Sequence, residues 1–195
     1  MSYRLGLTGS IGMGKSTTAQ MFRDLGYPVW DADQAVHRLY SPKGDAVAPV
    51  AQAFPSALQA GGIDRNALKS ALAKDPTGLS RLEAIVHPLV ARDRQDFIDQ
   101  HQDCPLVVLD IPLLFESASP PDVDGVAVVS TNPSIQKARV LARPGMTPEA
   151  MSLIMARQMP DAEKRARADW IIPTDTLEGA RAEVVKIISQ IIPDA

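Results

Sequence analysis

The sequence has one cysteine, Cys104, so it cannot form an internal disulfide. We expect this residue, which stands just before an apolar run, to be an inert packed side chain in a reducing compartment. Basic residues are not in excess, because 20 Lys and Arg stand against 23 Asp and Glu, a formal net charge of −3. Clustered Lys and Arg are needed to bind phosphate backbones, so nucleic acid is not an expected partner.

Long apolar runs are also missing, and none approaches the roughly 20 residues that span a membrane. We therefore expect no membrane partner. The N-terminal residues lead straight into a glycine-rich loop at Gly9, so we expect no cleavable signal there. These features predict a cytoplasmic protein. We expect a monomer or a small homo-oligomer. No internal repeat or low-complexity segment is present, and 195 residues suffice for a single hydrophobic core.

What the sequence does have is an alternation of short apolar runs with helical patterns. Strands are predicted at residues 3–8, 27–30, 106–110, 125–130 and 170–172, and helices between and after them at 15–25, 133–142, 148–159 and 176–191. This alternation predicts the α/β class, a parallel sheet with helices on both sides. Residues 32–102 carry no strand signal, and their helical patterns (32–40, 45–54, 65–73, 78–86 and 88–100) predict an inserted helical lobe.

A phosphate-binding loop follows the first predicted strand. Gly9-x-x-x-x-Gly14-Lys15-Ser16 matches the Walker A pattern at each defined position, and a predicted helix follows it. In such loops backbone N–H groups surround a β-phosphate, and the helix N-terminus adds partial positive charge. We expect Lys15 to reach the β- and γ-phosphates and the Ser16 hydroxyl to bind Mg²⁺. The residues predicted to bind ATP are Gly9, Gly12, Met13, Gly14, Lys15, Ser16 and Thr17.

Acidic residues stand where two of the predicted strands end. Asp31 and Asp33 follow the second strand, and Asp110 ends the third as a Walker B acid would. One carboxylate of the Asp31–Asp33 pair can accept a hydroxyl proton while the other holds Mg²⁺. Asp31 can equally cap the next helix, and spacing alone does not choose between these roles. Glu116 lies in an apolar segment and would need a partner if it is buried.

Two arginines are candidates for contacts with a transferring phosphoryl group. Arg139 and Arg143 are four residues apart, a spacing that predicts one shared helical face. Without a phosphate nearby, such a pair is typical of a solvated cationic surface. With a phosphate loop in the same chain, the pair becomes a plausible clamp.

In their order along the chain, these motifs resemble the dephospho-coenzyme A kinase family. Residues 6–16 are similar to the family's opening GLTGGIGSGKS, residues 31–33 to its DAD motif and residues 110–116 to its DVPLLFE signature. Further similarities in the same order are Gly62-Ile-Asp-Arg65, His87-Pro88, Gln136-x-x-Arg139, Arg143, Arg157-Gln158 and Ala168-Asp169. Each short motif is weak alone, and the ordered set is specific.

The resemblance implies transfer of the γ-phosphate of ATP to the ribose 3′-hydroxyl of dephospho-coenzyme A, the last step of coenzyme A synthesis. It implies a single P-loop kinase domain with a nucleotide-binding core (1–32 and 103–195), a helical substrate lobe (33–102) and a lid (139–159). Asp33 would be the general base, and Lys15, Arg139 and Arg143 would also be catalytic. The implied metal ligands are Ser16, Asp31 and Asp110, and the implied substrate contacts are Thr8, Asp33, His87, Leu113, Glu116 and Arg157.

The chain departs from the family pattern at three places. Ser10 and Met13 replace a Gly and a Ser of the opening motif, and Pro173-Thr174-Asp175 stands where the family has an Asn near the adenine. The backbone or Thr174 would then contact the base. Two other interpretations remain: a nucleoside, nucleotide or shikimate-type kinase, or a GTP-dependent switch. A switch would need an Asn-Lys-x-Asp motif, which the sequence lacks.

Overall fold

The computed structural model describes residues 2–117 and 120–193. The chain divides into two compact units, a core unit (Met1–Trp30 with His101–Ala195) and a helical unit (Asp31–Gln100). The strands are β1 (Tyr3–Thr8), β2 (Val29–Asp31), β3 (Leu58–Gln59), β4 (Gly62–Ile63), β5 (Leu106–Asp110), β6 (Gly125–Ser130) and β7 (Trp170–Pro173). The helices are α1 (Lys15–Asp24), α2 (Ala32–Tyr40), α3 (Val47–Ala53), α4 (Arg65–Leu72), α5 (Gly78–Gln100), α6 (Pro133–Leu141), α7 (Pro148–Met155), α8 (Asp161–Ala166) and α9 (Leu177–Ile191).

Among the described residues, a sheet of five strands has the order β2-β5-β1-β6-β7. The central strand β1 pairs in parallel with β5 and with β6, and β6 pairs in parallel with β7. The predicted parallel sheet is therefore confirmed. Because β1 is central, the loop that follows it lies at the middle of the edge where parallel strands end, the usual ligand-binding edge of such sheets.

Both faces of this sheet are covered by apolar contacts. Alternate strand residues point to opposite faces, so Leu5 and Leu7 of β1 join a cluster with α1 and α9. Val126 and Val128 of β6 join a second cluster around Leu114. The predicted covering of the sheet by helices on both sides is confirmed. Strands β5 and β6 are buried along their whole length and are apolar except at their ends, as expected for strands covered on both faces.

The helical unit has its own hydrophobic core. Its buried residues come from every helix of the unit and from the short connections: Leu39, Tyr40, Ala46, Val50, Phe54, Ala57, Ile63, Leu68 and Val86. The helix predictions at 32–40, 45–54 and 65–73 are confirmed to within two residues. No helix within the described residues is both long and apolar enough to cross a bilayer.

Two predictions for the helical unit were wrong. Helix α5 runs for 23 residues with Pro88 inside it, where two helices were predicted. Packing of Val86 and its partly buried neighbours Leu89 and Val90 against the unit's core offsets the hydrogen bond that proline cannot make. The segment also contains strands, because β3 and β4 form a short antiparallel hairpin. Strands of two residues are too short to show apolar alternation in the sequence.

In the core unit, the prediction of a helix at 148–159 was wrong at its C-terminal end. Helix α7 ends at Met155, and α8, which was not predicted, begins after Pro160. Proline disfavours helical geometry in the residue before it, here Met159, so α7 and α8 are not one continuous helix. Asn132 and Thr147 cap α6 and α7, since each side chain accepts a backbone hydrogen bond in the first turn of its helix.

Candidate active site

The loop between β1 and α1 has the backbone geometry of a phosphate cradle. Gly12 and Gly14 have φ angles of 77° and 92°, in the left-handed region that favours glycine. A Cβ at Gly12 would lie 2.5 Å from Cγ2 of Val140, so the loop also packs too closely against α6 for a side chain. Ser10 and Met13, the two departures from the family pattern, both lie outside the left-handed region. Their side chains are therefore tolerated here.

Lys15 and Asp110 form an ion pair at the end of the central strands. The ammonium of Lys15 donates a hydrogen bond to Oδ1 of Asp110, whose side chain is 2% exposed. Lys15 opens α1 and Asp110 ends β5, so two adjacent strands bring the groups together. Burial of a carboxylate is costly without a cation, and Lys15 supplies one. Ser16 and Thr17, in the next two positions of α1, are exposed.

Ile11, in the phosphate loop, is held by side chains from elsewhere in the core unit. The backbone N–H of Ile11 donates to Oε1 of Gln158 at 3.0 Å, and the Ile11 carbonyl accepts from Nε2 of Gln136 at 2.8 Å. Gln136 lies in α6 and is buried. Both glutamines stand in family-like motifs of the sequence, which does not show which backbone groups they contact.

A second set of contacts holds the loop at Met13. The Thr174 hydroxyl donates to the Met13 carbonyl at 2.6 Å, and the Thr131 N–H donates to the Met13 sulfur at 3.3 Å. Arg139 in turn donates to the carbonyl of Thr174 at 2.7 Å and to its hydroxyl at 3.2 Å. The Thr174 side chain is buried and engaged with the loop.

Arg143 does not share a helical face with Arg139, contrary to the prediction from their spacing. Helix α6 ends at Leu141, and Arg143 lies in the exposed turn that precedes Pro144. A residue before proline avoids the helical conformation, which ends the helix early. Arg157 is also exposed, in the connection between α7 and α8.

Glu116 has the charged partner that burial requires. Its Oε1 lies 2.9 Å from Nζ of Lys164, a lysine whose side chain is 0% exposed, and accepts the N–H of Met159 at 2.7 Å. Burial raises the pKa of Glu116, but the hydrogen bonds of Lys164 and Met159 and the charge of Lys164 outweigh it and lower that pKa. Lys164 was missed from the sequence, because nothing in α8 distinguishes a buried lysine from a surface one.

Two other predicted substrate contacts lie around the same segment. Thr8, the last residue of β1, is buried, and its hydroxyl donates to the Pro112 carbonyl at 3.1 Å. Leu113, in the turn after β5, is exposed, as are several other large apolar side chains among the described residues. An exposed leucine beside a buried polar contact is available to a ligand.

The remaining predicted site residues belong to the helical unit. Asp31 ends β2 and caps α2, because its Oδ1 accepts the N–H of Gln34 at 2.9 Å. The capping alternative is therefore confirmed for Asp31, although a capping oxygen leaves the second carboxylate oxygen available. Asp33 lies in the first turn of α2 and is exposed. His87 is exposed on α5, just before Pro88.

Comparison with known proteins identifies the family. A family model described as dephospho-CoA kinase matches residues 3–178. A dephospho-CoA kinase of Jannaschia sp. strain CCS1 is 55% identical over 191 residues, which cover 98% of this chain and 98% of that protein. The chain belongs to the dephospho-CoA kinase family. This membership decides between the kinase and GTP-switch interpretations in favour of the kinase.

Solved structures agree with the fold. A protein from Thermus thermophilus is 34% identical and superposes with a TM-score of 0.86, with 98% of each chain covered. A dephospho-CoA kinase from Campylobacter jejuni has a TM-score of 0.68 at 23% identity, with 97% of each chain covered. The second likeness supports the P-loop kinase fold alone.

The loop fits a nucleoside triphosphate bound with Mg²⁺. Hydroxyl and carboxylate oxygens are the ligands that Mg²⁺ prefers, and the loop places the Ser16 hydroxyl one residue after Lys15, the partner of Asp110. No group of three or more His, Cys, Asp or Glu in residues 2–117 and 120–193 forms a metal cage.

Proposed function

We propose that the protein transfers the γ-phosphate of ATP to the ribose 3′-hydroxyl of dephospho-coenzyme A, forming coenzyme A and ADP. The observation that carries this proposal is the family match over residues 3–178. The chain also has a phosphate loop with left-handed φ angles at Gly12 and Gly14. The loop supports the phosphoryl donor, and the family supports the acceptor.

In the proposed reaction, the backbone N–H groups after Gly12 and the N-terminus of α1 bind the phosphates of ATP. Lys15, which pairs with Asp110 in the structure, would also contact the β- and γ-phosphates when ATP binds. Its charge would there stabilise the oxygens of the transferring group. Ser16 and Asp110 are the proposed ligands of Mg²⁺, with Asp31 as a further candidate. When bound, Mg²⁺ neutralises charge on the β- and γ-phosphates.

Asp33 is the proposed general base, which accepts the proton of the 3′-hydroxyl. Its exposed position in the first turn of α2 leaves the carboxylate open to a substrate. His87, Thr8, Leu113 and Arg157 are proposed substrate contacts, and residues 33–102 a substrate lobe. Glu116 is better supported as the partner of Lys164 than as a direct contact.

Residues 139–159 are proposed to act as a lid that excludes water from the γ-phosphate. Exposed Arg143 is available to reach a bound phosphate. Arg139 is tied to Thr174, so its proposed catalytic charge would act from the base of the lid. We further propose a cytoplasmic location, which suits a chain with the single thiol of Cys104.

The decisive experiment supplies ATP and Mg²⁺ with dephospho-coenzyme A, and follows ADP release together with the product's mass and phosphorus NMR spectrum. We expect one ADP for each product molecule and a new phosphate at the 3′ position. Shikimate and nucleosides serve as alternative acceptors, and should give only the ATP-only rate. Saturating dephospho-coenzyme A that gave no ADP above that rate would remove the proposal.

The role of Asp33 needs its own variant. Asp33→Asn keeps the size of the side chain and removes the base, so we expect kcat to fall by roughly 10²–10⁴. Asp103→Asn, at an exposed position before β5 and outside the proposed substrate lobe, makes the same chemical change and should leave kcat unaltered. An Asp33→Asn enzyme that turns over as fast as Asp103→Asn would assign the proton to another group.

A further inference from the structure

Two glutamines bind the two backbone groups of one loop residue. Gln158 accepts the N–H of Ile11 at 3.0 Å, and Gln136 donates to the carbonyl of Ile11 at 2.8 Å. An N–H can only donate and a carbonyl can only accept, so each side-chain amide is fixed in one orientation. Gln136 is 4% exposed, which makes its hydrogen bond costly to lose.

The two glutamines stand near the two ends of the proposed lid, residues 139–159. Gln136 lies in α6 just before it, and Gln158 lies close to its end. Helix α6 also contacts the loop directly, because a Cβ at Gly12 would lie 3.1 Å from the backbone oxygen of Gln136. Both ends of the lid are therefore tied to the same turn of the phosphate loop.

We infer that Gln136 and Gln158 are positioning residues that hold Ile11 in the phosphate-binding form of the loop and couple that form to the base of the lid. This inference rests on the proposed function for the role of the lid. The inference does not depend on which molecule accepts the phosphate, because the phosphate loop would bind the nucleotide and not the acceptor.

The physical argument concerns the population of one loop conformation. The phosphate cradle requires left-handed φ angles at Gly12 and Gly14, which glycine leaves as readily as it adopts them. With Ile11 held on both sides, the loop has less freedom to leave the binding-competent form. A loop that spends only a fraction of its time in that form binds its ligand more weakly by the same fraction.

The test uses binding of MgADP to the full chain, measured by calorimetry without acceptor. Gln136→Met and Gln158→Met keep the side-chain volume and remove the hydrogen bond. We expect each to weaken MgADP binding by roughly three- to thirtyfold. Because both residues hold Ile11, the double variant should lose no more MgADP affinity than the single variant with the larger loss. In steady-state kinetics, KM for ATP should rise while KM for dephospho-coenzyme A stays unchanged.

Two matched controls make the same substitution in glutamines away from the loop. Gln190 accepts the N–H of Trp170 at 2.7 Å, as Gln158 accepts that of Ile11, and Gln20 donates to Asp24 at 2.8 Å, as Gln136 donates to Ile11. Gln190→Met and Gln20→Met should bind MgADP like the parent protein. Thermal unfolding of all variants fixes an assay temperature at which every one is folded.

The outcomes separate this inference from the proposed function. If the parent protein failed to bind MgADP, the proposed nucleotide site itself would be wrong. If the parent bound MgADP and the Gln136 and Gln158 variants bound it equally well, the positioning role would be overturned. A double variant whose loss equals the product of the two single losses would also overturn it, because the residues would then act independently.

Discussion

The ammonium nitrogen of Lys164 lies 2.9 Å from Oε1 of Glu116, and the side chain of Lys164 is 0% exposed. The same ammonium lies 3.4 Å from the carbonyl oxygen of Pro112. Glu116 and Pro112 belong to the segment that follows β5, and Lys164 belongs to α8. The pair therefore joins the segment after Asp110 to the helix that follows the proposed lid.

Removing one charge of this pair should be strongly destabilising. In Lys164→Met the Glu116 carboxylate stays largely buried without its cation, so we expect a loss of about 3–5 kcal/mol in the free energy of unfolding. The matched control is Lys186→Met, which breaks a pair with Glu183 whose lysine is 61% exposed, and should cost less than about 0.5 kcal/mol. Urea denaturation measures both. Equal losses in the two variants would show that burial of Lys164 adds nothing.

Glu116 should also make the protein sensitive to acid. Its folded-state pKa is lowered from the ordinary 4.5, so the pair stabilises the fold fully above the unfolded-state value and loses that contribution as pH falls through the folded-state value, below 4.5. Glu116→Gln removes this titration. We expect the melting temperature of the parent to fall more steeply than that of Glu116→Gln between about pH 5 and pH 3. Parallel curves for the two proteins would contradict the lowered pKa.

Variants of the Lys15–Asp110 ion pair can distinguish an effect on stability from an effect on catalysis. Lys15→Met should lower kcat by roughly 10²–10³, because the transferring phosphoryl group loses a cation. It should also destabilise the fold, because the buried Asp110 carboxylate loses its ammonium contact.

The second change, Asp110→Asn, tests that separation. In Lys15→Met/Asp110→Asn the buried negative charge is removed, so we expect part of the stability to return while kcat stays low. Denaturation and initial rates are measured on the same preparations. A double variant that regained activity along with stability would show that Lys15 acts only by holding the fold.

The elements of the core unit could be predicted from the sequence because their sequence patterns are local. Short apolar runs predicted β1, β5 and β6, and the Walker pattern placed Lys15 between a strand and a helix. Asp110 was expected at a strand end and lies there. What local patterns could not supply was the Lys15–Asp110 contact itself, since strand order decides which ends meet.

The predictions that were wrong have different physical causes, which are packing for one of them and the local effect of a proline for another. Pro88 marks a helix break in sequence, yet α5 continues through it because its apolar residues pack on both sides of the proline. Arg139 and Arg143 have helical spacing, but Pro144 ends the helix between them. Lys164 looked like a surface residue because α8 is short and its partner lies 48 positions away, at Glu116.

Glycine should be required at position 12 because α6 packs closely against it, and this steric requirement can be tested separately from the φ angle. Gly12 and Gly26 both have left-handed φ angles, 77° and 89°. An added Cβ at Gly26 meets nothing within 4 Å, whereas at Gly12 it would lie 2.5 Å from Cγ2 of Val140. Gly26→Ala should therefore cost only the backbone strain, about 1 kcal/mol, and leave KM for ATP unchanged.

Gly12→Ala adds a steric conflict to the same strain, because α6 must move away from the loop. We expect a larger loss of stability, by an additional 1–3 kcal/mol or so, and a rise of about tenfold or more in KM for ATP. Shortening the neighbour in Gly12→Ala/Val140→Ala makes room for the Cβ and should recover part of the ATP affinity. If Gly12→Ala behaved like Gly26→Ala in both assays, contact between α6 and the loop would have no part in nucleotide binding.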